Sequence, residues 1–405
     1  VPAIVASFPL SPADTARAVA QVYSISLLAT AQLAIAGAAV IVLQRASAGA
    51  RALVWRGAAV GLLLIYLGHA LPVRWIAFAV PDILASPLVA LGRLQVSAVP
   101  LATLAAATGP GRDLALLVWT LLLLYATGVL TVLVSIGRGW LVARALVSRA
   151  NQIENARWLA IVDDVRRTLG LRRPVRLAMT HELRTPVTCG VLRPVVLMPS
   201  GARAWTESDV RAVLLHELAH IEARDIAFAL VAHLSCALYW FHPGAWLVAR
   251  GLHRECEVAC DDRVLAAGVR PSDYAELLAK AADGSVSGGV AVVTALTGPC
   301  GARGLRGRLT SIVDVRRRRG APPHAAMLVA AVLTLGIALP MSVAQLAPTR
   351  EILTRLMREP AWESRAYAVI GLARRPDSVA VVRSAAALDP SPRVRALAEA
   401  ALGER

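Results

Sequence analysis

Apolar positions along the chain fall into two regimes. Predominantly apolar runs occupy residues 22–43, 53–71, 114–136 and 325–343, each about the twenty residues a helix needs to cross a bilayer. Between the third and fourth runs the pattern becomes mixed. Residues 150–169 intersperse apolar and charged positions at helical spacing. Valine-rich extended runs follow at 175–179 and 187–198, interrupted by Pro186, Gly190 and Pro194, which predicts strand pairs joined by turns. Thr206-Glu207-Ser208-Asp209 then has the form of a capping box, so a helix is predicted to start near Glu207 and run through Ala219 at least. The predicted fold class is an α-helical integral membrane protein carrying an α+β domain between its spans.

Composition sharpens this picture. The chain has 405 residues, 57% of them hydrophobic, and a formal charge of +16. Arginine carries almost all of that charge, Lys280 being the one lysine. Apolar runs separated by basic stretches describe a multi-spanning membrane protein, and no direct nucleic-acid partner is implied. The first run is too long, and lacks the basic leader, to be a cleavable signal. Arg56, at the start of the second run, is expected to snorkel to the lipid headgroups. Arginine is dense at 45–56, 138–224 and 303–319 and sparse at 75–111. The positive-inside rule then predicts an outside N-terminus, a cytoplasmic central domain and an outside tail. The expected organisation is three spans within 1–137 with an outside loop near 75–111, a cytoplasmic domain at 138–322, a fourth span at 323–345 and an extracytoplasmic tail at 346–405. The five cysteines are odd in number and irregularly spaced, as free thiols would be. Cys256 and Cys260, one helical turn apart, read as small buried residues.

Candidate chemistry lies on the helix predicted after Thr206. His216-Glu217-Leu218-Ala219-His220 puts two imidazoles on one helical face, where they can share one Zn2+. Glu217 leaves the same turn and can take a proton from an activated water. Catalytic zinc usually has three protein ligands, and Glu257 is the candidate third. Asp261, one turn on, is placed to bind a ligand histidine from behind. Glu255 and Asp262 are expected to face solvent. Glu222 is too close to His220, while His233, His242 and His253 remain weaker rival ligands. The apolar stretch 226–241 approaches a spanning length, but a full crossing would separate Glu257 from the two histidines. It is therefore predicted to be a buried or membrane-dipping helix over 226–243, with the metal site near the membrane surface.

His216–His220, the Trp240-Phe241-His242-Pro243 break and Glu257-Val258-Ala259-Cys260-Asp261-Asp262 together resemble the BlaR/MecR-type integral-membrane zinc peptidases, the antirepressor signal-transducer family. Three spans before the domain and one after it match as well. The resemblance implies a gluzincin-like fold, a bacterial-type plasma membrane location, and zinc-dependent cleavage of a cytoplasmic repressor in response to an outside signal. One departure is clear. Beta-lactam-sensing members carry a Ser-x-x-Lys nucleophile motif, whereas Lys280 has Leu277 three residues before it, so acylation by a beta-lactam is not expected.

The tail repeats Pro360, Arg365, Ala366, Ala368 and Leu372 as Pro390, Arg395, Ala396, Ala398 and Leu402. That period resembles HEAT-like helix pairs, which form binding surfaces. The expected partners are a cytoplasmic repressor-like substrate, the lipid bilayer and an extracytoplasmic ligand or protein at the tail, with room for a homo-oligomer. Two other function classes share the zinc motif: a quality-control or prenyl-protein-type membrane peptidase, and a non-catalytic membrane sensor. Intact Glu217 and all three ligand candidates count against the last.

Overall fold

A computed structural model of the chain describes residues 12–70, 76–80, 89, 111–283, 302–314, 319–320, 341, 344–373 and 375–403. Most of the fourth predicted span, the arginines at 316–318, Cys300 and most of the 75–111 connection lie outside the described residues. Two compact units are formed, one from Val1–Leu28, Ile65–Tyr125 and Pro340–Arg405, the other from Ala29–Leu64 and Ala126–Leu339.

Among the described residues, three helices are long and apolar enough to cross a membrane: α1 (Pro12–Val42), α2 (Ala48–Ala70) and α3 (Gly111–Arg149). α3 runs 39 residues, about 58 Å, against about 30 Å of bilayer hydrocarbon. Its excess length enters the second unit, where Leu146 packs on Ala178, Leu183, Cys189, Val195 and Leu197. One continuous helix thus runs from a candidate span onto a face of the sheet described next.

That sheet has the order β2–β3–β5–β4, from β2 (Asn151–Gln152), β3 (Arg176–Thr180), β4 (Val187–Cys189) and β5 (Val195–Pro199). β4 and β5 form an antiparallel hairpin, while β3 runs parallel to β5. The predicted strands are present, in a mixed sheet. The helix expected over 150–169 is shorter: α4 spans Ala156–Thr168 and Asn155 caps it by accepting from Arg157 N and Trp158 N. Residues 151–152 pair with β3 instead, because an Asn N-cap holds an extended backbone that helix cannot cross.

α5 (Glu207–Ala223) begins with the capping box foreseen at Thr206 and Asp209. It ends at Arg224, whose φ of 58° is left-handed, a cost of about 1–2 kcal/mol for a residue with a Cβ. This sharp junction starts α6 (Asp225–Leu238) at once. α6 is 14 residues long, about 21 Å, too short to cross. The chain turns at Trp240–His242 into α7 (Pro243–Ala266), where Pro243 fits the first turn and His242 Nδ1 accepts from Gly244 N at 3.1 Å.

The α6–α7 hairpin sits against all three candidate spans. Ser235 Oγ donates to Ala59 O at 2.9 Å and Tyr239 OH to Leu62 O at 3.0 Å, both on α2. Thr30 of α1 lies 3.0 Å from His242 Nε2. Trp240 covers Gly128 of α3 so closely that a Cβ there would overlap the indole. Alanines 36, 52, 58, 59 and 232 fill the contact, since small residues let helix backbones approach where lipid gives no hydrophobic drive. The sequence left a buried or dipping helix open for 226–243. The structure makes it one arm of a helical hairpin packed on the candidate spans.

α8 (Pro271–Asp283) and α9 (Ala302–Val313) complete the second unit. In the first unit, β1 (Ile76–Val80) pairs in parallel with β6 (Ala344–Pro348). The tail forms α10 (Arg350–Leu356), α11 (Trp362–Ala373), α12 (Val379–Leu388) and α13 (Pro392–Gly403) around Leu353, Ala366, Val369, Leu372, Val394 and Ala398.

Candidate metal centre

His216 and His220, one turn apart on α5, present their Nε2 atoms 3.2 Å from each other. Glu257, on α7, brings Oε1 to 3.4 Å from His220 Nε2 and Oε2 to 3.7 Å from His216 Nε2. Donors about 2.0–2.2 Å from a tetrahedral zinc ion sit about 3.3–3.6 Å apart, a range that the separations of the three sequence candidates bracket. They also converge as one potential metal group.

The far side of each imidazole is tied down. His216 Nδ1 lies 3.1 Å from both Asp261 Oδ1 and the Tyr274 hydroxyl, and Tyr274 donates to Asp261 at 2.7 Å. His220 Nδ1 is 2.8 Å from Asp225 Oδ2 and 3.3 Å from Cys260 Sγ. These Nδ1 contacts select the tautomer whose Nε2 lone pair faces the centre. The hairpin accounts for both orienting groups: the turn at Arg224 returns Asp225 to His220, and α7 brings Asp261 to His216.

Electrostatics favour a cation at this point. Burial and the charge of Arg308 would lower the His216 pKa, yet its hydrogen bonds to Asp261 and Glu257 raise it. His220 is raised further against its own burial, by Cys260, Asp225 and Glu257. Burial would keep Glu257 protonated, but Arg308 and the two imidazoles hold it well below the usual carboxylate range. Asp261, buried, is likewise held at about 2 by Arg308 and His216, and Asp225 at about 2 by His220 and Arg56. One ionised carboxylate and two imidazoles that favour positive charge, with further ionised carboxylates behind them, are the donor chemistry of a divalent metal.

Glu217 is not among these grouped donors, and Thr188 Oγ1 on β4 donates to its Oε2 at 2.6 Å. Arg308, on α9, spans Glu257 and Asp261, giving 2.9 Å to Glu257 Oε2 and 2.7 and 2.8 Å to the two oxygens of Asp261. Sequence reasoning missed Thr188, Asp225, Tyr274 and Arg308. Only Asp225 carried a signal, as an acid five residues after His220 on an otherwise apolar stretch.

The rival ligands are engaged elsewhere. His233 Nδ1 donates to Ala229 O, and His242 caps α7. Neither these nor His253 joins a metal group among the described residues. Glu222 pairs with Arg263 at 2.6 Å. Two expectations are corrected. Glu255 and Asp262 do not face solvent but are 3% and 7% exposed, because α7 is packed on several sides: Glu255 pairs with Arg51 of α2, and Asp262 lies 3.7 Å from Arg319. Arg56 does not snorkel, being turned inward onto Asp225. The four described cysteines are free and buried.

The profile of the BlaR1 peptidase M56 family matches residues 95–312, more than half of the chain and all of the residues just described on α5, α6 and α7. The regulatory protein BlaR1 of Bacillus licheniformis is 27% identical over 113 residues, 28% of this chain and 19% of that protein. The methicillin resistance mecR1 protein of Staphylococcus aureus is 20% identical over 95 residues, 23% of this chain and 16% of that protein. The likeness thus spans less than a fifth of either relative's own length. It is the family profile, with the apolar spans and the grouped histidines and carboxylates, that places the protein: this chain belongs to the BlaR1 peptidase M56 family of membrane peptidases.

Proposed function

We propose that the protein is a zinc-dependent membrane endopeptidase with a gluzincin-like site, in which His216, His220 and Glu257 hold the metal and Glu217 is the catalytic base. The carrying observation is the spacing of the three donors, together with an ionised carboxylate behind each imidazole. Zinc at this position would supply Lewis-acid chemistry, acidifying a water and polarising the scissile carbonyl.

The chain's own groups do the rest. Glu217 takes the proton of the attacking water and returns it to the departing amine, a role open to a carboxylate that is not itself a ligand. Thr188 holds Glu217 Oε2, leaving Oε1 for that proton. Asp261 and Asp225 keep the imidazoles oriented. Arg308 fixes the carboxylates of Glu257 and Asp261 relative to each other.

The substrate reading is a cytoplasmic transcriptional repressor, cleaved when an external signal reaches the protein. The arginine distribution supports a cytoplasmic active site and an outside tail. In the tail, Arg365 Nη1 donates to Glu359 O at 2.8 Å and Arg395 Nη1 to Asp389 O at 2.6 Å. Equivalent arginines thus make the same bond about thirty residues apart, which supports two HEAT-like repeats and a ligand-binding or partner-binding role for the tail. The test is purified full-length protein carrying Glu217→Ala. It should retain stoichiometric zinc and lose proteolysis by about 10²–10⁴-fold, whereas His216→Ala or Glu257→Ala should lose both. Full zinc affinity in Glu257→Ala would remove it from the ligand set.

A further inference from the structure

The site is tied to the membrane bundle through one residue that metal binding does not directly use. Arg56 lies on α2, within the candidate span Ala48–His69. Its side chain is 15% exposed and is ion-paired with Asp225, 10% exposed, through Nη2 and Oδ1. The other oxygen of that carboxylate, Oδ2, holds His220 Nδ1 at 2.8 Å. One carboxylate therefore bridges a membrane helix and a candidate metal ligand. The guanidinium is itself fixed, with Phe228 of α6 facing it at 4.8 Å and Cys256 Sγ of α7 at 3.8 Å. Asp225 is the first residue of α6, so its backbone is set by the hairpin and its carboxylate by α2.

Attachment of α2 to the hairpin does not by itself require this pair. Ser235 and Tyr239 already bond to α2 carbonyls, and Arg51, also on α2, pairs with Glu255 of α7 at 2.7 Å. The Arg51–Glu255 pair joins the same two structural parts, yet Glu255 is held by Arg51 and Arg254, not by a histidine of the site. Burying a second arginine among helices of this kind is costly unless its charge is used.

We infer that Arg56 is a positioning residue for the metal site, fixing Asp225 and thereby the imidazole of His220, so that the attitude of membrane helix α2 sets how tightly the site holds its metal. This rests on the zinc-site reading above. A displacement of α2 along or about its axis pulls one oxygen of Asp225 and leaves His220 Nδ1 with a misplaced acceptor. The ligand then loses both its orientation and part of its basicity. A signal that moves the spans has, in this pair, a direct route to the catalytic centre.

The test uses full-length protein in nanodiscs, with Zn2+ titrated against a chromophoric chelator and Co2+ substituted for visible spectroscopy. Arg56→Gln should weaken Zn2+ binding about tenfold, the lower end for loss of a supporting partner, and shift the Co2+ bands. Asp225→Asn should do the same, and the double variant should be no worse than Asp225→Asn alone. Arg51→Gln should match wild type in both readouts. If Arg56→Gln does not accumulate in membranes, Arg56→Met, apolar and unbranched, carries the comparison with the same expected loss. Zn2+ affinity within twofold of wild type for the Arg56 variant, with unchanged Co2+ bands, overturns the proposal. So does an equal loss in Arg51→Gln, which would mark both as general helix ties. His216→Ala run in parallel separates the two readings: it must abolish binding, and if it does not, the zinc-site assignment fails before any role of Arg56.

Discussion

Asp261→Asn is the sharpest probe of how the site is supported, because the change keeps shape and removes only charge. Asp261 is 1% exposed and receives Arg308 through both oxygens at 2.7 and 2.8 Å, the Tyr274 hydroxyl at 2.7 Å and His216 Nδ1 at 3.1 Å. An asparagine has one acceptor oxygen, and either orientation of its amide turns N–H groups towards a donor of Arg308 or His216. Breaking a buried ion pair from one side costs about 3–5 kcal/mol. Arg308 keeps Glu257 at 2.9 Å, so the lower end, about 3 kcal/mol, is expected for the metal-free protein. Zinc affinity should fall about 10–100-fold, since His216 loses its anionic partner. That range equals about 1.4–2.7 kcal/mol. Chelator competition in detergent reads the affinity, and unfolding of the metal-stripped protein reads the stability. Zinc affinity within twofold of wild type would refute the idea that Asp261 orients a ligand, whatever the stability change.

The other expectations are more compact. Asp225 and Asp261 are held at about 2 against about 3.9 in an unfolded chain, so their stabilisation is present above about pH 4 and is lost as pH falls towards 2. Acid unfolding of the metal-free protein should show that loss, and Asp261→Asn should flatten it; an identical acid limb would sink the assignment. Thr188→Val removes the hydroxyl that donates to Glu217 Oε2 and should lower kcat about tenfold, as loss of a bond to a charged group does, while zinc content stays at wild type. Normal turnover in that variant would show that Thr188 does not position the base. Gly128→Ala would force the Trp240 indole away from α3 and should cost about 1–3 kcal/mol in detergent-induced unfolding, with an unchanged curve arguing against the hairpin's place beside α3. Single-cysteine labelling should find positions 149, 203 and 303 on the cytoplasmic side and 363 outside. Positions 203 and 262 on opposite faces would contradict one shared metal site.

Much of the site was legible in the sequence because its signals are local. An i, i+4 histidine pair, a capping box that fixes where its helix starts, and an apolar run of spanning length each depend on residues near in the chain. Short-range geometry translates such patterns directly into helix faces and spans. The requirement for a third ligand pointed to Glu257, and the structure brings it to His216 and His220. Reading 226–241 as unable to cross followed from the same requirement, not from hydropathy, which alone would have favoured a span.

What only tertiary structure decided were the groups that reach the centre from distant elements. Arg308 arrives from α9, Tyr274 from α8, Thr188 from an edge strand and Arg56 from a membrane helix. None lies at a spacing that a periodic pattern can reveal. Glu255 and Asp262 were misread for the complementary reason: helical periodicity assigns an outer face only where a helix has one, and α7 is covered by α2 as well as by α5 and α6. Arg56 was placed at the headgroups because a charge beside a span usually finds water, yet the Asp225 carboxylate, brought back by the left-handed turn at Arg224, gave it a partner inside. Local pattern determined which residues could form a metal site. Packing of the hairpin between the candidate spans and α5 decided what holds that site in shape.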